Sequence, residues 1–161
     1  MKQIIYFFWL LILVLPNMGL CQIITIDPIG AGDNDPVTII FDAGQGNKEL
    51  IGENKIYMHH GVVTDRPDGT DWKYVKGNWG ADDGIGLMTR VDGQHNKWKI
   101  SFTPNIRTYF NVPVSDNIYR ISCVFRSADG NKKGTIPPGD YGWGTVTSNF
   151  DIYINLDAGD Y

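Results

Sequence analysis

Apolar and polar residues alternate with a period of two in seven short stretches of this chain, each closed by a cluster of Gly, Pro, Asn or Asp. The stretches are residues 23–27, 37–43, 55–64, 84–91, 97–102, 118–126 and 150–156. In 37–43, Val37, Ile39 and Phe41 share one face. In 55–64, Ile56, Met58 and His60 take one face, Tyr57 and His59 the other. No long stretch carries the 3.6-residue period of a helix, and at most one short helical turn is expected between Thr103 and Asn117. The pattern predicts an all-β protein, an Ig-like antiparallel β-sandwich of about seven to eight strands. Phe41, Met58, Trp98, Ile100 or Phe102, and Cys123 or Val124 are expected to meet in one core.

The first residues, MKQIIYFFWLLILVLPNMGLCQ, break the alternation. One cation, Lys2, precedes an apolar run from Ile4 to Leu15, followed by Pro16, Asn17 and small residues. This is the arrangement of a secretory signal peptide over residues 1–21. A run of about a dozen apolar residues is short of the roughly 20 that a transmembrane helix needs, so no membrane insertion is expected after cleavage. Gly19-Leu20-Cys21 fits a cleavage site that leaves Gln22 as the new N-terminus. The alternative, acylation of Cys21, calls for a small residue before the cysteine, where Leu20 stands. Residues 22–161 then form one domain, secreted or held at the outer cell surface, with no linker or repeat dividing it.

Charge and cysteines narrow the partners. The formal net charge is −4, one unit more negative without Lys2, and no cationic cluster offers a surface to nucleic acid. Loss of Cys21 leaves Cys123 alone in the run IYRISCVF, so no internal disulfide is expected and the thiol reads as a small buried apolar group. Roughly 140 residues suffice for a core without such staples.

Catalytic and metal chemistry find little support. There is no G-x-S-x-G, and His59 and His60 are adjacent on a strand, where they point to opposite faces and cannot share a metal. His95 lies in the turn-like DGQHNK. Asp82-Asp83 and Asp65, Asp68 and Asp71 pair carboxylates, but Asp68-Gly69 and Asp83-Gly84 read as turn formers, and the spacing misses a calcium loop. No enzyme, cofactor or metal is expected.

The aromatic residues say more. Trp98, Phe102, Phe41 and Phe125 alternate within strands and belong to the core. Trp72, Tyr74, Trp79, Tyr141 and Trp143 instead fall in or beside two long loops, 65–81 and 128–149. A sugar ring has an apolar C–H face bordered by hydroxyls, which matches a flat aromatic flanked by Asp, Asn and Lys. The opposing possibility is that these rings fold back as lids over the ends of the sandwich. In an extended segment Trp72 and Tyr74 share a face, and of Trp72 and Trp79 one is expected to pack and the other to remain free. Two or more coplanar, solvent-facing rings in one concavity would favour sugar; buried rings would favour the lids.

The run KIYMHHGVVTDRPDGTDWKYVKGNWGADDGIGLMTRVDGQHNKWKISFTP, followed by YFNVPVSDNIYRISCVFRSADGNKKG, resembles the Ig-like (E-set) starch-binding-like modules of secreted bacterial glycan-degrading and glycan-capture proteins. Its most specific pieces are YMHHGV, WKYVKGNWGADDGIG and VFRSADGNKKG. The resemblance implies secretion and a non-catalytic contact with an α-glucan or other polysaccharide or oligosaccharide through loop aromatics, with other surface proteins as possible neighbours. The rival expectation is a structural or adhesive Ig-like spacer of a secreted cell-surface protein, or a fragment of an amylase-like enzyme.

Overall fold

Two antiparallel sheets follow from the alternation. The computed structural model describes residues 22–157, so the expected signal peptide and the fate of Cys21 lie outside the described residues. The smaller sheet holds β1 (Ile24–Asp27), β2 (Val37–Asp42), β5 (Thr89–Arg90) and β6 (Lys97–Phe102) in the order β1-β2-β6-β5. The larger runs β4 (Lys73–Lys76), β3 (Ile56–Val63), β7 (Arg120–Ser127), β11 (Ile152–Asn155), β10 (Gly144–Val146), β9 (Gly139–Asp140), with β8 (Lys133–Gly134) paired to β7. Every pairing between them is antiparallel. The protein is an all-β sandwich.

Among the described residues there are eleven strands rather than seven or eight. The additional ones are β4, β8, β9 and β10, of two to four residues each, too short for alternation to be read against their Gly- and Lys-rich surroundings. The stretch 84–91 yields only the two-residue β5. The helical turn is present as α1 (Ile106–Phe110). Asn105 caps it, its side chain accepting from Thr108 N at 2.7 Å, and Asn111 ends it in the left-handed region.

Phe41 of β2 stacks on Phe125 of β7 with ring centroids 4.1 Å apart, tying one sheet to the other. Met58, Trp98, Phe102 and Cys123 are buried in the same core, and Ile100 packs partly against it. Val124 faces the other way. The inward face of β3 also carries His60, fully buried, whose Nδ1 meets the Met58 carbonyl and whose Nε2 lies 2.8 Å from the Tyr109 hydroxyl. A carbonyl only accepts, so Nδ1 carries the proton and Nε2 accepts from Tyr109. No helix among the described residues is long and apolar enough to cross a membrane.

Candidate functional site

Alternation that sends Met58, His60, Cys123 and Phe125 inward sends Tyr57 and His59 of β3, and Arg120, Ser122, Val124 and Arg126 of β7, to the outer face of the larger sheet. Such a face carries buried charge, which must be paired or hydrogen-bonded. Arg126 is 1% exposed and donates Nη1 to the carbonyls of Ser127 and Ala128, and Nη2 to those of Asn78 and Ala81, all at 2.8–3.1 Å. Arg120, 8% exposed, donates Nε to Asn155 Oδ1 at 3.0 Å and Nη1 to the Gly69 carbonyl at 3.3 Å. The two arginines thus hold opposite ends of the segment that leaves β3, forms β4 and returns.

Further bonds fix those ends. Near Arg120, Trp72 Nε1 donates to the Tyr153 hydroxyl at 2.9 Å, and that hydroxyl donates to the Thr70 carbonyl at 3.1 Å. Near Arg126, the Tyr57 hydroxyl donates to Asp82, which also pairs with Lys55 at 2.6 Å. These hydrogen bonds, the one from Lys55 foremost, hold the Asp82 carboxyl below its ordinary range. Gly61 lets the segment approach: a Cβ there would lie 2.8 Å from the Lys73 carbonyl oxygen.

Between the anchored ends the sheet is left uncovered, and a groove of about 440 Å³ opens. His59, Trp72, Trp79, Val124, Lys133 and Asp151 line it. Trp72 is half-buried, its ring 6.0 Å from that of His59 at 27°. Trp79 is 45% exposed and meets His59 edge-on at 5.5 Å and 87°. The two indoles therefore share a concavity but are not parallel. Lys133 Nζ lies 5.0 Å over the Trp79 ring, and the Arg126 guanidinium 5.8 Å from it.

Burial and the neighbouring Arg126 cation push the His59 pKa below its ordinary value, with Asp83 pulling weakly the other way. His59 is accordingly neutral near pH 7, and its Nδ1 is buried without a protein partner. Burial raises the carboxyl pKa of Asp151, while Lys133 opposes the shift from beyond ion-pair distance.

The five aromatic candidates are dispersed over three places. Trp72 and Trp79 share the groove. Tyr74 does not join Trp72 on one face: its φ of 52° turns the chain inside β4, beside a register shift between His60 and Val62, and its hydroxyl donates to Asp116 at 2.8 Å. Tyr141 and Trp143 stack at 5.3 Å and 17° on the β9–β10 turn and wall a separate cleft of about 440 Å³ with Ile26, Ile29 and Leu156. His59, Lys133 and Asp151 escaped sequence reasoning. The outward phase of His59 was readable; the approach of Lys133 and Asp151 depends on pairings of β8 and β11 with β7, set by tertiary contact. Among the described residues no cluster of His, Cys, Asp or Glu is arranged to hold a metal.

Fold and groove define a two-sheet β-sandwich whose larger sheet bears a loop-walled, tryptophan-flanked depression. The chain belongs to the family described as "Domain of unknown function (DUF8578)", whose profile matches residues 24–133. That span contains His59, Trp72, Trp79, Val124 and Lys133, and ends before Tyr141, Trp143 and Asp151. No curated protein matches the chain.

Proposed function

We propose that the protein is a non-catalytic carbohydrate-binding module, exported by its leader-like first 21 residues, and that a polysaccharide or oligosaccharide is held in the groove between Trp72 and Trp79. The observation that carries this reading is two indoles across one open concavity whose other lining is largely polar: His59, Lys133 and Asp151. Pyranose C–H faces match the indole surfaces, and ring hydroxyls match the donors and acceptors between them. The indoles are not the coplanar pair that would most favour a sugar; their inclined arrangement suits a chain that turns from one residue to the next, as α-linked polysaccharides do, over a flat ribbon laid on coplanar rings.

A second reading, a structural or adhesive spacer, draws support from Trp72 and Tyr74, which spend their polar groups on Tyr153 and Asp116. One experiment separates the two. Trp72→Ala, Trp79→Ala and the unmutated protein are run in affinity electrophoresis against starch, glycogen, β-glucans and uronate-bearing polysaccharides, with melting curves alongside. Retention by at least one polymer, lost in folded Trp79→Ala, supports the module. Loss of an anchoring aromatic commonly costs about 2 kcal/mol or more of binding. Identical migration with and without every polymer defeats the carbohydrate reading, and unfolding of both variants hands the molecule to the spacer.

A further inference from the structure

The groove has a sign. Lys133 donates none of its ammonium protons to any described residue, and no described carboxylate lies within 4.0 Å of it. Its Nζ rests 5.0 Å over Trp79 instead. Near the same indole, 5.8 Å from its centroid, lies Arg126, a guanidinium 1% exposed whose partners are all carbonyl oxygens; its charge is solvated by dipoles and cancelled by no ion pair. Of the acids near the groove, Asp151 lines it, beyond ion-pair distance of Lys133, and Asp82 and Asp83 are otherwise engaged. Asp82 is bound to Lys55 and Tyr57, and Asp83 accepts from the backbone of Asn78 and Ile85. At His59, inside the groove, the influence of Arg126 exceeds that of Asp83. The Trp79 side of the depression is thus a positive spot on a chain whose net charge is −4.

We infer that the saccharide this groove takes is acidic: a chain bearing carboxylates, one of which meets the Lys133 ammonium while a sugar ring lies against Trp79. The inference rests on the carbohydrate reading above and names its ligand class. Lys133 is the group with unused donors. A carboxylate gives it the charge-assisted partner the protein withholds, and places a negative charge near the buried Arg126 guanidinium, which no ion pair cancels. Asp151, the one carboxylate lining the groove, works against such a ligand. The two side chains therefore predict opposite effects when neutralised.

The test is affinity electrophoresis and titration calorimetry of the full protein with polygalacturonate and alginate as acidic probes, starch and glycogen as neutral ones, and dextran sulfate as a polyanion without carboxylates. The expected result is retention by polygalacturonate or alginate and weaker or no retention by the neutral polymers. Lys133→Gln should weaken the acidic interaction about tenfold, the size of one charge-assisted hydrogen bond, and Asp151→Asn should strengthen it. Both side chains are accessible from the groove, and unchanged melting curves confirm that the fold is retained. Equal retention by starch, with no response to Lys133→Gln, overturns the acidic assignment and leaves the carbohydrate reading standing. Equal binding of dextran sulfate that survives Trp79→Ala reduces the effect to bulk charge attraction and also overturns it. No retention by any polymer defeats both.

Discussion

Trp72 and Tyr153 are joined by a single hydrogen bond, indole N–H to phenol oxygen at 2.9 Å, with the rings edge to face at 6.4 Å. Tyr153 is 2% exposed and reaches this point from β11, on the far side of β7 from β3. One wall of the groove is thereby fastened to the middle of the larger sheet. Tyr153→Phe removes the acceptor of Trp72 and the donor to Thr70 while keeping the ring. A loss of about 1 kcal/mol in unfolding free energy is expected, read by urea denaturation. Saccharide retention should fall as well, since Trp72 loses its tether though no groove side chain is deleted. Unchanged retention at reduced stability would show that Trp72 serves the fold alone.

Trp79 is held differently. Its indole nitrogen lies against Gly130, where a Cβ would come within 2.8 Å of Nε1 and 3.0 Å of the Gly80 Cα. Gly130 also has a φ of 73°, so Gly130→Ala adds left-handed strain of roughly 1–2 kcal/mol to the displacement of the ring. Gly93, with a φ of 70° and open space around its Cβ direction, supplies the control. Gly93→Ala should destabilise by a similar amount and leave binding alone. Gly130→Ala should also shift the tryptophan fluorescence and weaken saccharide binding. Equal effects of the two substitutions on binding would mean that the position of Trp79 is immaterial.

What the sequence disclosed and what it withheld divide along physical lines. The phase of β3 and β7 was legible because side chains alternate regardless of what the strands pair with: Met58, His60 and Cys123 inward, Tyr57 and His59 outward. The same rule failed at Tyr74. A positive φ at a tyrosine is unfavourable locally and is maintained by tertiary contacts, here the Asp116 bond and packing against the core. The loop aromatics were visible as a group, but their partition between groove and cleft depends on which strand each loop crosses. Nothing in VFRSADG marked Arg126 as buried; the carbonyls of Ser127, Ala128, Asn78 and Ala81 make it an anchor. Loop carbonyls carry no sequence signature.

Acid should weaken the fold through His60. Burial pushes its pKa from 6.5 down to about 4, with the Met58 carbonyl opposing and His59 and Lys76 adding to the fall. Tyr109, Phe102 and Phe110 surround the ring. A folded pKa below the unfolded one means that the unfolded chain binds the proton more readily. The neutral buried ring therefore costs nothing above pH 6.5, and stability declines as pH falls from 6.5 to about 4, by about 3 kcal/mol. His59, also lowered, acts in the same direction. Asp82, Asp83 and Asp129 lie below the ordinary carboxylate range, so their contributions are lost only at lower pH. Urea denaturation at intervals from pH 7.5 to 4 checks the window. A stability flat across it would contradict a neutral, buried His60.

Cys123 is fully buried between the sheets, opposite His60 on β3 and Ile152 on β11. Burial drives its thiol pKa far up, and a thiol that does not ionise is neither nucleophile nor ready disulfide former. No other cysteine lies among the described residues. A thiol reagent such as dithionitrobenzoate should fail to react with the folded domain at pH 8 and react fully in guanidinium, and a reducing agent should leave the melting temperature unchanged. Cys123→Ala removes only the sulfur from a packed core and should cost about 1 kcal/mol, while Cys123→Ser, of nearly equal volume, adds a hydroxyl that the apolar core does not satisfy and should cost more. Rapid labelling of the folded protein would show that the β3–β7–β11 centre opens on the reagent's timescale; an equal cost for Ala and Ser would show that the position is wet.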